Sequence, residues 1–113
     1  MTEAELQRTI IDLATLFGWR HYHTFNSRRS DPGFPDLVLL HEDRGRLLFI
    51  EVKIESGKPT PAQLAWLDAL ARCDEEIYIV RPANLDEIQE ILTLGHKPGF
   101  IERCRYESAV VAR

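Results

Sequence analysis

Two acidic residues and a lysine lie in short motifs that could together bind a divalent metal ion. Asp36 ends a GFPD motif, while Glu51 and Lys53 are the outer residues of an EVK motif. Carboxylate oxygens are the ligands that Mg²⁺ prefers, and an ammonium beside them can balance charge without binding the ion. Each motif alone is common, the first at a strand entry and the second on an exposed strand face. Only a fold that joins them would make a site.

A hairpin between the two motifs would align their carboxylates. The apolar runs 37–40 and 47–50 predict two buried strands, and an Asp-x-Gly turn signal at 43–45 lies between them. Centred between residues 43 and 44, the hairpin places Asp36 opposite Glu51, with Cβ atoms roughly 4.5–5.5 Å apart. Like charges at that distance destabilise a sheet and require a compensating cation. Lys53 shares the strand face of Glu51. The sequence therefore predicts a divalent-metal site with an ammonium beside it.

Composition indicates one ordinary globular domain covering residues 1–113. The chain is 44% hydrophobic and 28% charged, and no apolar run reaches the ~20 residues of a membrane span. Its first residues lack the features of a signal peptide, so we expect a cytoplasmic protein. Cys73 and Cys104 stand apart from each other, which argues against structural zinc and a disulfide framework. The net charge of −4 argues against a protein that coats nucleic acid nonspecifically.

Hydrophobic periodicity and capping signals predict an α/β domain with the order α-β-β-β-α-β-α. We expect a mixed central sheet flanked by helices. Outside the hairpin, the predicted elements are a helix at 2–17, a strand at 19–25, a loop at 26–35, a helix from Thr60, a strand at 77–80 and a helix from Asn84 to Gly95. Residues 96–113 show no clear periodicity and carry no structural prediction.

The first helix offers two acidic residues, of which Glu3 is the better candidate for the site. Glu3 falls on the apolar stripe of the helix, whereas Glu5 points nearly the opposite way and forms a Thr2-x-x-Glu5 capping box. A carboxylate on the core-facing stripe is costly unless it is paired or binds metal. Glu3 could also serve only as a favourable charge at the helix N-terminus.

Other polar residues each have a structural and a functional interpretation. Gln63 matches a Thr60-x-x-Gln63 capping box, yet its side chain would point toward the sheet and the site. Arg28 and Arg29 could be solvated loop residues or could grip phosphate, and Lys58 adds a cation near the same site. His21 and His23 share a strand face, but without an acid or cysteine at ligand spacing they are weak metal candidates.

The order and spacing of these motifs resemble the PD-(D/E)xK nuclease superfamily, and more closely its VRR-NUC branch. The resemblance covers residues 2–80, and it is closest to the stand-alone modules encoded by phages and prophages. It rests on Glu3-x-x-x-Gln7, Gly33-Phe34-Pro35-Asp36, Glu51-Val52-Lys53 and Gln63.

The resemblance implies a restriction-endonuclease-like core and a metal-dependent endonuclease acting on DNA. Asp36, Glu51 and the Val52 carbonyl would hold Mg²⁺ or Mn²⁺, with Glu3 contributing directly or through water. Lys53 would orient or deprotonate the attacking water, or shield charge on the phosphate. Small members of the branch are similar in setting to Holliday-junction resolvases, so we expect a homodimer cutting branched DNA.

Three alternatives stay open for the function. One is a nuclease that acts on flap or single-stranded DNA. A second is a nucleic-acid-binding module without activity, and a third is a structural or interaction domain whose hairpin acids are merely solvated. Candidates for the dimer interface are the apolar residues of the last segment, Phe100, Ile101, Val110 and Val111.

Overall fold

The protein has the predicted order of helices and strands. The computed structural model describes residues 1–24, 31–73 and 75–94. The elements are α1 (Glu3–Leu16), β1 (Arg20–His23), β2 (Leu37–His41), β3 (Arg46–Val52), α2 (Pro61–Ala71), β4 (Glu76–Val80), a 3-10 turn (Pro82–Asn84) and α3 (Leu85–Leu94). Phe25 of the predicted first strand and the unplaced stretch 96–113 lie outside the described residues.

Capping signals set the ends of the helices. Thr2 and Glu5 form the predicted capping box of α1, and Gly18, at φ 86°, follows the helix. The third helix differs slightly from its prediction. Asn84 ends the 3-10 turn, and its Oδ1 accepts a hydrogen bond from the Arg81 N–H at 2.9 Å. Its side chain thus stabilises the turn before α3.

The four strands form one mixed sheet in the order β1-β2-β3-β4. The first three are antiparallel neighbours, whereas β4 runs parallel to β3. A tight turn containing Gly45, at φ 61°, joins β2 to β3. Since parallel strands need a crossover connection, α2 lies between β3 and β4 in the chain. The result is the mixed sheet that the sequence predicts.

The main core lies between one face of the sheet and the helices α1 and α3. Alternate residues of β2, β3 and β4 contribute to it, as the period-2 geometry of strands requires. Its buried members are Leu6, Ile10, Ile11, Ala14, Trp19, Leu37, Leu39, Leu48, Ile50, Val52, Tyr78, Val80, Ile88, Ile91 and Leu92. The helices therefore cover this face over β2, β3 and β4, while the residues of β1 are exposed.

The opposite face is covered only in part, which corrects the expectation of two fully buried hairpin strands. Leu67 of α2 packs on Ile77 and Ile79 of β4, with Phe49 at the margin. Toward β1, no described element covers the same face, and Leu40 is 37% exposed. The apolar run 37–40 thus alternates between a buried and an accessible face, because α2 reaches only across β3 and β4.

A largely buried ion pair ties the hairpin to β4 and α3. Arg46 donates two hydrogen bonds to the Glu76 carboxylate, at 2.6 and 2.9 Å, and a third to the Ile91 carbonyl at 3.1 Å. Its guanidinium also lies 5.2 Å from the centroid of the Trp19 ring. Bidentate geometry and several satisfied donors are the conditions under which a buried pair stabilises a fold.

The structure bears on two further expectations, those on membrane spans and on the cysteines. In the described ranges, no helix has the length and apolar character that crossing a membrane requires. Cys73 is an exposed free thiol, and Cys104 lies outside the described residues.

We predict that Arg46→Ala lowers the free energy of unfolding by about 3–5 kcal/mol, because it leaves the Glu76 carboxylate buried without its cation. Arg8→Ala is the matched control, since Arg8 forms an exposed ion pair with Asp12 within one helix. It should change the free energy by only about 0.5 kcal/mol. Urea unfolding of both variants measures the difference, and similar midpoints would contradict the prediction.

Candidate active site

The predicted register places Asp36 opposite Glu51. Leu37 pairs with Ile50 at the end of the β2–β3 ladder, so the next residues of the two strands, Asp36 and Glu51, face each other. Asp36 is fixed there by a hydrogen bond of 2.8 Å, which the Val52 N–H donates to its Oδ2. Alternation along the strands puts both carboxylates on the sheet face that carries α2.

Glu51 is buried with one carboxylate oxygen unsatisfied. Its side chain is 1% exposed, and its Oε2 lies 3.6 Å from the Lys53 Nζ. Its Oε1 has no hydrogen-bond partner among the residues that the structure describes. A buried polar atom without a partner costs free energy and is rare in folded proteins. An unsatisfied oxygen beside a second carboxylate fits the role of a metal ligand.

Burial raises the pKa of both carboxyl groups, and the charge of a neighbouring carboxylate adds to the rise in each. Desolvation is the main cause for Glu51, and the charge of Asp36 adds to it, so the pKa of Glu51 rises to about 8 despite Lys53 nearby. Desolvation also raises the pKa of Asp36, with a further contribution from Glu3, while the Val52 N–H acts in the opposite direction. Without a metal ion, the pair therefore retains a proton near neutral pH.

Glu3 is electrostatically linked to the pair although it is exposed. Its charge is one of the causes that raise the pKa of Asp36, so the N-terminus of α1 lies toward the site. The expected burial of its side chain is not observed. Glu5 accepts a hydrogen bond from the Thr2 N–H at 2.8 Å, and the Thr2 Oγ1 accepts one from the Glu5 N–H at 3.1 Å. Glu5 therefore has the capping role that the sequence indicates.

The GFPD motif holds Asp36 between the sheet and α2. Gly33 has φ 91°, and a Cβ there would lie 2.5 Å from the Ala62 carbonyl, so only glycine fits. The Phe34 ring makes edge contacts with Trp66 at 5.1 Å and with Phe49 at 6.2 Å. The backbone before Asp36 thus packs against the first turn of α2, while the Phe34 ring fills the space between helix and strand.

Arg81 is a structural partner of the site that sequence reasoning missed. One guanidinium nitrogen, Nη1, donates to the carbonyls of Ile54, Glu55 and Gly57 at 2.7, 3.2 and 2.7 Å. A Cβ on Gly57 would lie only 3.6 Å from the Lys53 Cδ, so the clamped loop packs against the lysine stem. No local pattern could indicate this contact, because it joins residues more than twenty positions apart.

Lys53 is itself held closely, and its side chain is only 10% exposed. Its backbone N–H donates to the Val80 carbonyl at 3.0 Å, which extends the pairing of β3 with β4 by one residue. Gln63 forms the predicted capping box, because its Oε1 accepts from the Thr60 N–H at 2.8 Å. Its catalytic role stays a prediction.

The roles of the remaining candidate residues stay predictions. Lys58, His21 and His23 are exposed, and Arg28 and Arg29 lie outside the described ranges. Within those ranges, no group of three histidine, cysteine, aspartate or glutamate side chains could hold a metal ion. Two carboxylates and a backbone carbonyl nevertheless fit Mg²⁺, which is usually held by one or two carboxylates and keeps several waters.

Fold and site together define a domain of the restriction-endonuclease-like type. The VRR-NUC domain family matches residues 2–84, and the chain belongs to this nuclease family. A solved structure described as a VRR_NUC domain matches with a TM-score of 0.65 and 24% identity, over 80% of this chain and 92% of that chain. No characterised protein gave a significant sequence match.

A second solved structure confirms the fold. It is Hjc from Archaeoglobus fulgidus, described as a Holliday junction resolvase from an archaeal hyperthermophile. The TM-score is 0.52 and the identity 21%, over 69% of this chain and 67% of that chain. The predicted mixed sheet with flanking helices is thus confirmed.

We predict that the metal-free protein loses thermal stability as the pH rises from 4.5 to 8. The folded state raises the pKa of Glu51 from 4.5 to about 8, so it binds this proton more tightly than the unfolded chain. The resulting stability is fully present below pH 4.5 and is lost as the pH rises through 8. Melting temperatures in the presence of a chelator measure the effect.

Glu51→Gln separates this effect from the general pH response, because its amide stays neutral throughout the range. Its profile should be flatter than that of the wild type, while Glu55→Gln, at an exposed position, should follow the wild type. Parallel profiles for the wild type and Glu51→Gln would show that Glu51 does not titrate as predicted.

We predict that Arg81→Ala lowers kcat by about tenfold or more on a cleaved substrate, because the loop that packs against Lys53 loses three hydrogen bonds. Arg81→Lys should retain part of the activity, since an ammonium can replace some of those donors. Arg72→Ala, which removes an exposed pair with Asp68, is the control. A rise in KM with unchanged kcat, or equal losses for Arg81→Ala and the control, would contradict a positioning role.

Proposed function

We propose that this chain is a metal-dependent endonuclease that hydrolyses DNA phosphodiester bonds, with Mg²⁺ or Mn²⁺ as its ion. The observation that carries the proposal is the unsatisfied, buried Glu51 Oε1 beside Asp36 and Lys53. Membership of the VRR-NUC nuclease family indicates the class of reaction. Asp36, Glu51 and the Val52 carbonyl would hold the ion, with Glu3 acting directly or through water.

The ion would act as a Lewis acid that neutralises phosphate charge and promotes the ionisation of water. The chain's own residues supply the rest. The Val52 N–H fixes the Asp36 carboxylate at 2.8 Å, and burial of Glu51 excludes bulk water from one side of the site. Lys53 would orient or deprotonate the attacking water, or stabilise charge on the phosphate.

The substrate we propose is branched DNA, including Holliday junctions, cut by a homodimer. The likeness in fold to a protein described as a Holliday junction resolvase favours this choice. Two symmetric incisions need two sites, which a twofold assembly supplies. Two linked contacts would also give affinity to a chain whose net charge is −4. Arg28, Arg29 and Lys58 are the proposed phosphate contacts, and Gln63 a proposed further residue of the site.

A panel of labelled DNAs tests the activity. It contains a four-way junction, a flap, a nicked duplex, a single strand and a linear duplex, each with Mg²⁺, Mn²⁺ or a chelator. Cleavage that requires the ion supports the proposal, and the preferred member identifies the substrate. Binding without cleavage of any member would favour the inactive binding module. Light scattering with and without the junction gives the mass, and a monomer in both would exclude the dimer.

We predict that Lys53→Ala abolishes cleavage but keeps the increase in melting temperature caused by Mn²⁺. Metal bound only to the folded state stabilises it by mass action, and Lys53 is not a ligand. Glu51→Gln should lose both cleavage and the Mn²⁺-dependent increase, whereas Glu55→Gln should keep both. Normal turnover by Lys53→Ala, or a wild type insensitive to millimolar Mn²⁺, would contradict the assignment.

A further inference from the structure

An accessible apolar surface continues from the active site along the open face of the sheet. It forms a depression of about 400 Å³, which we call the β1–β2 surface. Tyr22, at 63% exposure, and Leu40 are its large accessible side chains. The residues that line it are Arg20, His21, Tyr22, Val38, Leu40 and Leu47.

Strand register fixes the position of this surface relative to the carboxylates. Tyr22 pairs with Val38, and the Thr24 N–H donates to the Asp36 carbonyl at 3.1 Å. Tyr22 is therefore the diagonal neighbour of Asp36 on the same sheet face, and such neighbours lie roughly 7–8 Å apart. That separation equals about two stacked nucleotide steps of ~3.4 Å. A nucleic acid whose phosphate lies at Asp36 and Glu51 would bring a nucleotide one or two positions away to Tyr22.

The chemistry of the β1–β2 surface suits a base better than a phosphate backbone. Among the described residues that line it, Arg20 and His21 are the basic side chains and none is acidic. The Arg20 guanidinium already contacts the Glu42 carboxylate at 2.8 Å. Duplex DNA presents phosphates, which require cations. Apolar and aromatic side chains instead stack on bases that have left a duplex.

We propose that Tyr22 stacks on an unpaired base one or two nucleotides from the scissile phosphate. The substrate class is then DNA with an unpaired nucleotide at the cleavage site, such as a flap or an opened branch point, rather than continuous duplex. This inference rests on the proposed nuclease function and names the feature of the substrate that the site recognises. It assigns Tyr22 to substrate binding, with Val38 and Leu40 forming the apolar floor.

The test combines one protein change with one substrate change. Wild type, Tyr22→Ala, Tyr22→Phe and Leu16→Ala are assayed with Mn²⁺ on two branched DNAs of equal sequence. One of them carries abasic residues at the two unpaired positions beside the cut. Leu16, an exposed apolar residue of α1 at 72% exposure, is the matched control away from this sheet face. Melting temperatures confirm that each variant is folded.

We expect that removing the tyrosine ring and removing the bases each lower kcat/KM, and that the two losses are not additive. Removing the bases should lower kcat/KM of the wild type on the order of tenfold, as should Tyr22→Ala on the intact branch. Tyr22→Ala should then cut both DNAs equally, because the two changes remove the same contact. Tyr22→Phe keeps the ring and should resemble the wild type, and so should Leu16→Ala.

Other outcomes overturn the inference. Equal cutting of the two DNAs by the wild type, or independent losses from the two changes, would show that no base stacks on Tyr22. A change in oligomeric mass caused by Tyr22→Ala would assign the surface to a second copy of the chain. If the wild type cuts no DNA with Mg²⁺ or Mn²⁺, the proposed function itself fails. That result is distinct from a wild type that cuts but ignores the bases.

Discussion

Asp36 and Glu51 face each other at the end of the β2–β3 ladder, where burial and like charge both oppose ionisation. Lys53 only partly compensates, because it lies 3.6 Å from one Glu51 oxygen and leaves the other unpaired. Without a cation, the site must retain a proton or bear repulsion. The surrounding structure holds the two carboxylates in place despite this cost, as expected where binding or chemistry requires preorganised groups.

Contacts distant in sequence supply that preorganisation. The Gly33 backbone lies against the first turn of α2, which the Thr60–Gln63 capping box fixes. Beyond β4, Arg81 clamps the loop that packs along the Lys53 stem. The acid that opens β2 and the lysine that follows β3 are therefore each held by an element outside the hairpin. A hairpin alone would align the residues but leave both segments mobile.

One face of the sheet forms most of the hydrophobic core, whereas the other carries the candidate site. One face packs against α1 and α3 and contains most of the buried core, while the Arg46–Glu76 pair joins the hairpin to β4 near the Trp19 ring. The other face carries the carboxylates, the smaller cluster under α2 and the accessible β1–β2 surface. Since stability comes mainly from the first face, the second can keep apolar area accessible for a ligand.

Apolar runs, helical periodicity and turn and capping signals in the sequence determined the elements, the hairpin register and hence the Asp36–Glu51 pair. Short-range rules suffice there, because a turn at 43–45 fixes the pairing of every residue before and after it. The Thr2–Glu5 and Thr60–Gln63 boxes follow from equally local geometry. Only the tertiary structure decided which strand faces are covered, so that Leu40 is accessible although its apolar run predicted burial. It alone joined Arg81 to residues 54–57 and linked Glu3 to Asp36 without burying it. These features depend on how helices dock on the sheet, and no residue spacing along the chain encodes that docking.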